Sequence, residues 1–68
     1  MTDARDDLLA SACQQASLHL RLAALNIRRA ADTPARRAVH LSVAGVALSV
    51  AELELLRARE YARLVAAA

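Results

Sequence analysis

Residues 38–51 of the chain read AVHLSVAGVALSVA, a stretch with no charge apart from whatever charge His40 carries. Its apolar residues recur at intervals of three and four, which predicts a helix with two apolar rows on roughly opposite sides. The first row continues past the stretch and consists of Leu41, Ala44, Leu48, Ala51, Leu55, Ala58, Ala62 and Val65. The second row consists of Val39, Val43, Val46, Val50 and Leu53. A helix that is apolar on both sides must be covered on both sides, and one neighbouring helix cannot do that.

A second helix with the same character precedes this one. Its main row is an unbroken pattern of alternating four- and three-residue steps, formed by Leu9, Cys13, Ala16, Leu20, Ala23, Ile27 and Ala30. Another apolar stripe, which contains Leu18, Leu22 and Leu25, faces away from it. Alanine recurs every seven residues in the main row of each helix, so the two backbones can approach closely. We therefore expect the helices to pack tightly, with the row from Leu9 to Ala30 against the row from Leu41 to Val65.

The only break in this pattern is Asp32-Thr33-Pro34. Proline disfavours helix at the residue before it, and Thr33 is a suitable N-cap for a helix whose first residue is Pro34. We expect one domain over residues 1–68, with a helix at about 3–31, a turn at 32–34 and a helix at about 34–66. Thr2 or Asp3 would cap the first helix. So short a turn makes the two helices antiparallel neighbours.

The chain is short and has no covalent or metal staple of its own. It has 68 residues and a single cysteine, so no internal disulfide can form, and no Cys/His cluster has the spacing of a metal site. A core of this size rarely supplies more than about 3–5 kcal/mol, and association is the remaining source of stability. The predicted architecture is thus all-α: a two-helix hairpin that self-associates into a four-helix or larger bundle.

The stripes left uncovered in a lone hairpin are the predicted contact surface for a second copy or a partner protein. The residues of this surface are Leu18, Leu22, Leu25, Val39, Val43, Val46, Val50 and Leu53. The function that follows is a non-catalytic interaction module: an oligomerising scaffold, an adaptor or a small accessory subunit that binds partner helices.

Other sequence features favour a cytoplasmic protein without a cofactor. The free thiol and the acidic start argue against secretion, and no basic segment precedes an apolar one as in a signal peptide. The uncharged run is shorter than the ~20 residues that span a bilayer, so no membrane span is expected. Cys13 is interpreted as a small buried apolar residue. His19 and His40 have no carboxylate three or four residues away, which leaves open whether they or Cys13 meet across an oligomer axis.

Arginine is concentrated around the turn. Residues 21–40 contain five arginines against Asp32 alone, about +4, whereas the residues before them sum to −2 and those after them to zero. Pairing of Arg28, Arg29 or Arg36 with Asp32 would make this a solvated turn. The alternative function is a small dimeric regulator that binds nucleic acid through Arg28, Arg29, Arg36 and Arg37. In outline the chain resembles the Rop type of RNA-binding helical hairpin, which is also short and dimeric, although no motif residue matches.

Overall fold

The structure, a computed structural model, describes residues 4–68 and contains two long helices. Helix α1 runs over Ala4–Asp32 and helix α2 over Arg37–Ala67, with a 3-10 turn at Pro34–Arg36 between them. The helices pack against each other along their length, and the molecule extends over 51 × 18 × 12 Å. The predicted all-helical hairpin is confirmed. The predicted caps Thr2 and Asp3 lie outside the described residues.

The turn is held by backbone hydrogen bonds. The Thr33 N–H donates to the Arg29 carbonyl at 2.9 Å, and the Arg36 N–H donates to the Thr33 carbonyl at 3.0 Å. Thr33 takes the N-cap position with Pro34 next, but its side chain makes no capping hydrogen bond. The fixed φ of proline thus begins the 3-10 turn, and α2 starts only at Arg37.

Alanine fills the space between the two helices. The buried apolar residues are Ala16, Ala23, Ala30, Ala44, Ala47, Ala51 and Ala58, each 7 % exposed or less. Ala23, Ala44 and Ala47 form one cluster at the middle of the hairpin. Because a methyl group is the only side chain at these positions, the two backbones approach closely along the alanine row.

The expectation that the hairpin covers the whole of both main rows is wrong. Leu20, Ile27, Leu41, Leu48 and Leu55 are 42–48 % exposed, and Cys13 is exposed too. The contact between the helices is centred on the alanines. One of its edges is formed by the residues that directly precede these larger side chains in the sequence. Among these are His19, Asn26, Ala47 and Glu54. The larger residues of the predicted rows are therefore turned out of the interface.

Helix α2 is long and apolar enough to cross a membrane. With its preceding turn it spans 34 residues and includes an eighteen-residue window with a mean hydropathy of 1.6, of which 17 % is buried. By length and composition alone this segment could cross a bilayer, so the short uncharged run does not by itself exclude a span. Core helices of soluble proteins meet the same criterion, which makes it weak evidence.

Candidate interaction surfaces

The hairpin presents two apolar faces on opposite sides of the plane that contains its helices. The first, called here the leucine face, consists of Cys13, Leu20, Ile27, Leu41, Leu48 and Leu55. The second, the valine face, is the predicted contact surface: Leu18, Leu22, Leu25, Val39, Val43, Val46, Val50 and Leu53. Helical spacing places the two sets on opposite sides of the alanine interface. Both faces belong to both helices.

The valine face is as open as the sequence predicts for a lone hairpin. Val46, Val39 and Leu53 are 63 %, 61 % and 59 % exposed, and only Val50 is half-buried. Leu22, Val43, Val46 and Val50 line a shallow groove together with His19. Whether another helix occupies this groove stays a prediction.

The leucine face was not predicted to be a surface, and it carries a second groove. Cys13, Leu20 and Leu55 line it from the two helices, and Ala16 forms part of its floor. Each main row alternates alanines with larger apolar residues. In a contact between two helices, only the alanines of each row point at the neighbouring helix. The larger residues point to where further helices of a bundle would lie. The larger residues of the main rows therefore lie outside the contact between the two helices.

At the edge of the alanine interface toward the valine face, a histidine and a carboxylate meet. Nδ1 of His19 lies 2.7 Å from Glu54 Oε1 and donates its proton to the Gln15 carbonyl at 2.9 Å. The Glu54 side chain is 13 % exposed, and its Oε1 is buried without accepting a hydrogen bond. The His19 imidazole is therefore the close polar neighbour of this carboxylate oxygen on the other helix.

A second polar pair lies about two helical turns nearer the hairpin turn. Asn26 is buried, 6 % exposed, and its Nδ2 donates to the Leu22 carbonyl at 2.9 Å. Nδ1 of His40 lies 3.2 Å from Asn26 Oδ1, so the hydrogen bond requires the His40 proton on Nδ1. Both groups of the Asn26 amide are thus satisfied, one within α1 and one across to α2.

Sequence reasoning missed these pairs because it searched for partners within one helix. His19 and Asn26 are seven residues apart, three positions after Ala16 and Ala23, and thus share a ladder that borders the alanine row. The signal was present: a polar ladder at the heptad spacing of a small-residue row marks the rim of a helix contact. Its partners on α2 could not be assigned without the register between the helices.

The arginines of the predicted anionic-partner patch lie around the turn and are exposed. Arg28 and Arg29 end α1, and Arg36 and Arg37 stand at the junction with α2. Within residues 4–68 no ion pair joins Asp32 to Arg28, Arg29 or Arg36, although the sequence allows one. The positive charge of the tip is therefore open to solvent.

An exposed ion pair lies near the other end of the hairpin, between neighbouring turns of α2. The Arg63 guanidinium donates hydrogen bonds to the Glu60 carboxylate one turn earlier. This hydrogen bond and the opposite charge lower the pKa of Glu60 and raise the pKa of Arg63. A depressed carboxyl pKa adds stability that is present at neutral pH and lost as the pH falls through that pKa. For so exposed a pair the contribution is small.

In the described part of the chain, no three histidine, cysteine, aspartate or glutamate side chains come together as metal ligands would. His19 and His40 each contact a residue of the other helix, and Cys13 lies on the opposite face. No family model, no curated protein and no solved structure matches the chain. The functional argument therefore rests on the two faces, the polar pairs and the arginine tip.

If Asn26 and His40 fix the register of the two helices, their mutations will be coupled. Asn26→Ala should lower the free energy of unfolding by about 1–2 kcal/mol, because it removes a buried amide that is hydrogen-bonded on both sides. In a double-mutant cycle with His40→Ala, measured by urea unfolding at one protein concentration, we expect a coupling of about 1 kcal/mol. Gln14→Ala, exposed on the same helix, is the control. Strictly additive effects would show that the bond does not contribute.

Proposed function

We propose that this protein is a non-catalytic helical interaction module, which self-associates and binds partner helices through its two apolar faces. The observation that supports the proposal is that small apolar side chains lie between the helices and large ones lie on the outside. Among residues 4–68 the buried apolar residues between the helices are all alanines, whereas fifteen large aliphatic side chains are more than a third exposed. A chain that keeps its large apolar residues outside is suited to contact with other helices.

The energetics favour association over a free hairpin. An alanine buries a single methyl group, worth about 0.8 kcal/mol, whereas a buried leucine or valine is worth about 1.5–3 kcal/mol. The hairpin therefore gains little from its own interface and retains most of its hydrophobic driving force on its surface. Contiguous apolar faces of this extent mark contact sites in soluble proteins.

The polar groups at the rim of the interface also suit a structural role. His19, Glu54, Asn26 and His40 contact one another in pairs across the two helices. Such pairs align one helix against the other and so present each face as a rigid surface. Rigid presentation reduces the entropy that a partner must lose on binding.

The most direct consequence is that the protein is not a monomer at working concentrations. By sedimentation equilibrium at micromolar concentration, we expect the mass of a dimer or a larger assembly, because a single copy leaves both faces in water. Arg63→Glu changes an exposed position away from both faces and should keep the wild-type mass. The double variant Val46→Glu/Leu48→Glu places a carboxylate on each face and should give a monomer or an unfolded chain, which circular dichroism distinguishes. A folded wild-type monomer would contradict the proposal.

The arginine tip supports a second candidate, a dimeric hairpin that binds nucleic acid. Its four terminal arginines are exposed, and within residues 4–68 Asp32 pairs with none of those beside it. A cluster of this kind meets phosphates through charge, and the affinity then falls steeply with salt. The absence of Phe and Trp from the sequence removes the usual stacking platforms for single strands, which makes duplexes the better target.

For this candidate, binding to duplex RNA or DNA is measured by fluorescence anisotropy at low salt. Changing Arg28, Arg29, Arg36 and Arg37 to Gln should abolish any affinity, and added salt should weaken it. The matched control changes four arginines away from the turn, Arg5, Arg57, Arg59 and Arg63, to Gln and should bind like the wild type. If the wild type fails to bind either duplex at low salt, this second function is excluded and the interaction module is unaffected.

A further inference from the structure

We propose that a second copy of the chain docks on the leucine face in antiparallel orientation, with the two turns at opposite ends of the assembly. The inference rests on the proposed self-association and specifies which face and which register produce it. Four observations carry it: the spacing of the leucine face, the distribution of charge along the hairpin, the polarity of the other face, and the size of the surface.

The two rows of the leucine face have their midpoints at the same height along the hairpin. In α1 its residues are Cys13, Leu20 and Ile27, and in α2 they are Leu41, Leu48 and Leu55, always seven apart. The register between the helices follows from two contacts: Asn26 bonds His40, and Ala23 clusters with Ala44 and Ala47. These contacts put Leu20 and Leu48 at about the same height, halfway along both rows.

A two-fold axis through that height makes the face complementary to itself. Each row then runs antiparallel to the same row of the second copy, and large residues meet large residues. Leu20 faces Leu20 of the second copy, and Leu48 faces Leu48 in the same way. Cys13 faces Ile27 of the second copy, and Leu41 faces Leu55. The alanines of both hairpins complete the layers of a four-helix bundle.

The charges select this orientation over the alternative. A face-to-face dimer with a two-fold axis along the helices would bring together two turns, each with about +4 within residues 21–40. In the antiparallel dimer each turn instead lies beside the opposite end of the second copy, where residues 1–20 sum to −2. Like charges are separated and opposite charges are adjacent, which favours the antiparallel form.

The valine face does not have this symmetry. Its apolar groove, with Leu22, Val43 and Val46, lies in the half near the turn. The half toward the chain ends is mixed, because Gln15, Glu54 and Arg57 line it together with Leu8 and Tyr61. An antiparallel second copy would press the apolar half of one hairpin onto this mixed half of the other. The valine face is therefore left to other helices, while the leucine face takes the second copy.

The side of the hairpin that carries the leucine face is large enough for a specific dimer. Its outline, 51 Å long and 18 Å wide, sets an upper limit of roughly 900 Å² on the area that a second copy can cover, and the ~800 Å² per partner of standard protein interfaces falls within this limit. The leucine face itself takes the middle ~21 Å of that length. Ser17 and Arg21 also line its groove, but neither belongs to the two rows. The six residues of the rows carry no charged side chain, so their contact with a second copy buries none.

Cysteine cross-linking tests the register, because Cys13 already lies on the face. Ile27→Cys should be joined to Cys13 of the second copy by a short bismaleimide, giving a covalent dimer with two links on a denaturing gel. Position 55 shares a groove with Cys13 of its own chain, so it is tested in a mixture of the wild type with the variant Leu55→Cys/Cys13→Ala. This mixture should give no covalent dimer, because position 55 faces Cys13 of a second copy only in the parallel dimer. The wild type should stay unlinked, since the two Cys13 residues are separated by about 14 residues of helix rise, ~21 Å.

A second variant tests the same orientation if Ile27→Cys does not fold. Leu20→Cys in a Cys13→Ala background lies on the proposed axis and should link to itself. Sedimentation of each variant before cross-linking separates the possible failures. A monomeric wild type would overturn both this proposal and the proposed function. A dimer linked through Leu55→Cys would overturn the orientation, and a dimer linked at none of these positions would overturn the choice of face. Either result would leave self-association itself intact.

Discussion

The close contact of two alanine-lined helix surfaces is the constraint on which the rest of this structure depends. Alanine methyl groups fill most of the contact between α1 and α2, with the buried Asn26 beside them, so the backbones approach closely. The leucines, isoleucine and valines lie on two outer faces. The hairpin alone is poor in buried apolar area, and this deficit is the physical basis of its proposed role.

The two faces differ because polar residues border only one of them. Asn26 and His40, and His19 and Glu54, lie along the valine-face edge of the alanine interface. They connect the two helices and give that face a polar border, which the leucine face lacks. The leucine face has no such groups in its rows and is symmetric about its middle. A symmetric face suits an identical partner, whereas an asymmetric one suits a different partner.

Much of the fold could be predicted from the sequence, and the reasons are local. The periodic apolar rows and the single Thr33-Pro34 break suffice for two helices and a turn. The exposure of the valine face also followed from spacing. The outward position of Leu20, Leu48 and Cys13 did not, because periodicity identifies the rows of a bundle core but not which row a single neighbour covers. The polar pairs across the helices required the register, which only the three-dimensional packing supplies.

The central claim is that folding and association of this chain are coupled, because its large apolar side chains find cover only in other copies. Thermal unfolding followed by circular dichroism at several protein concentrations tests it most directly. Association that stabilises only the folded state makes the midpoint rise with concentration. We predict such a rise over about a hundredfold range of concentration, with helicity lost at the dilute end. A midpoint that is independent of concentration, with full helicity throughout, would contradict the account.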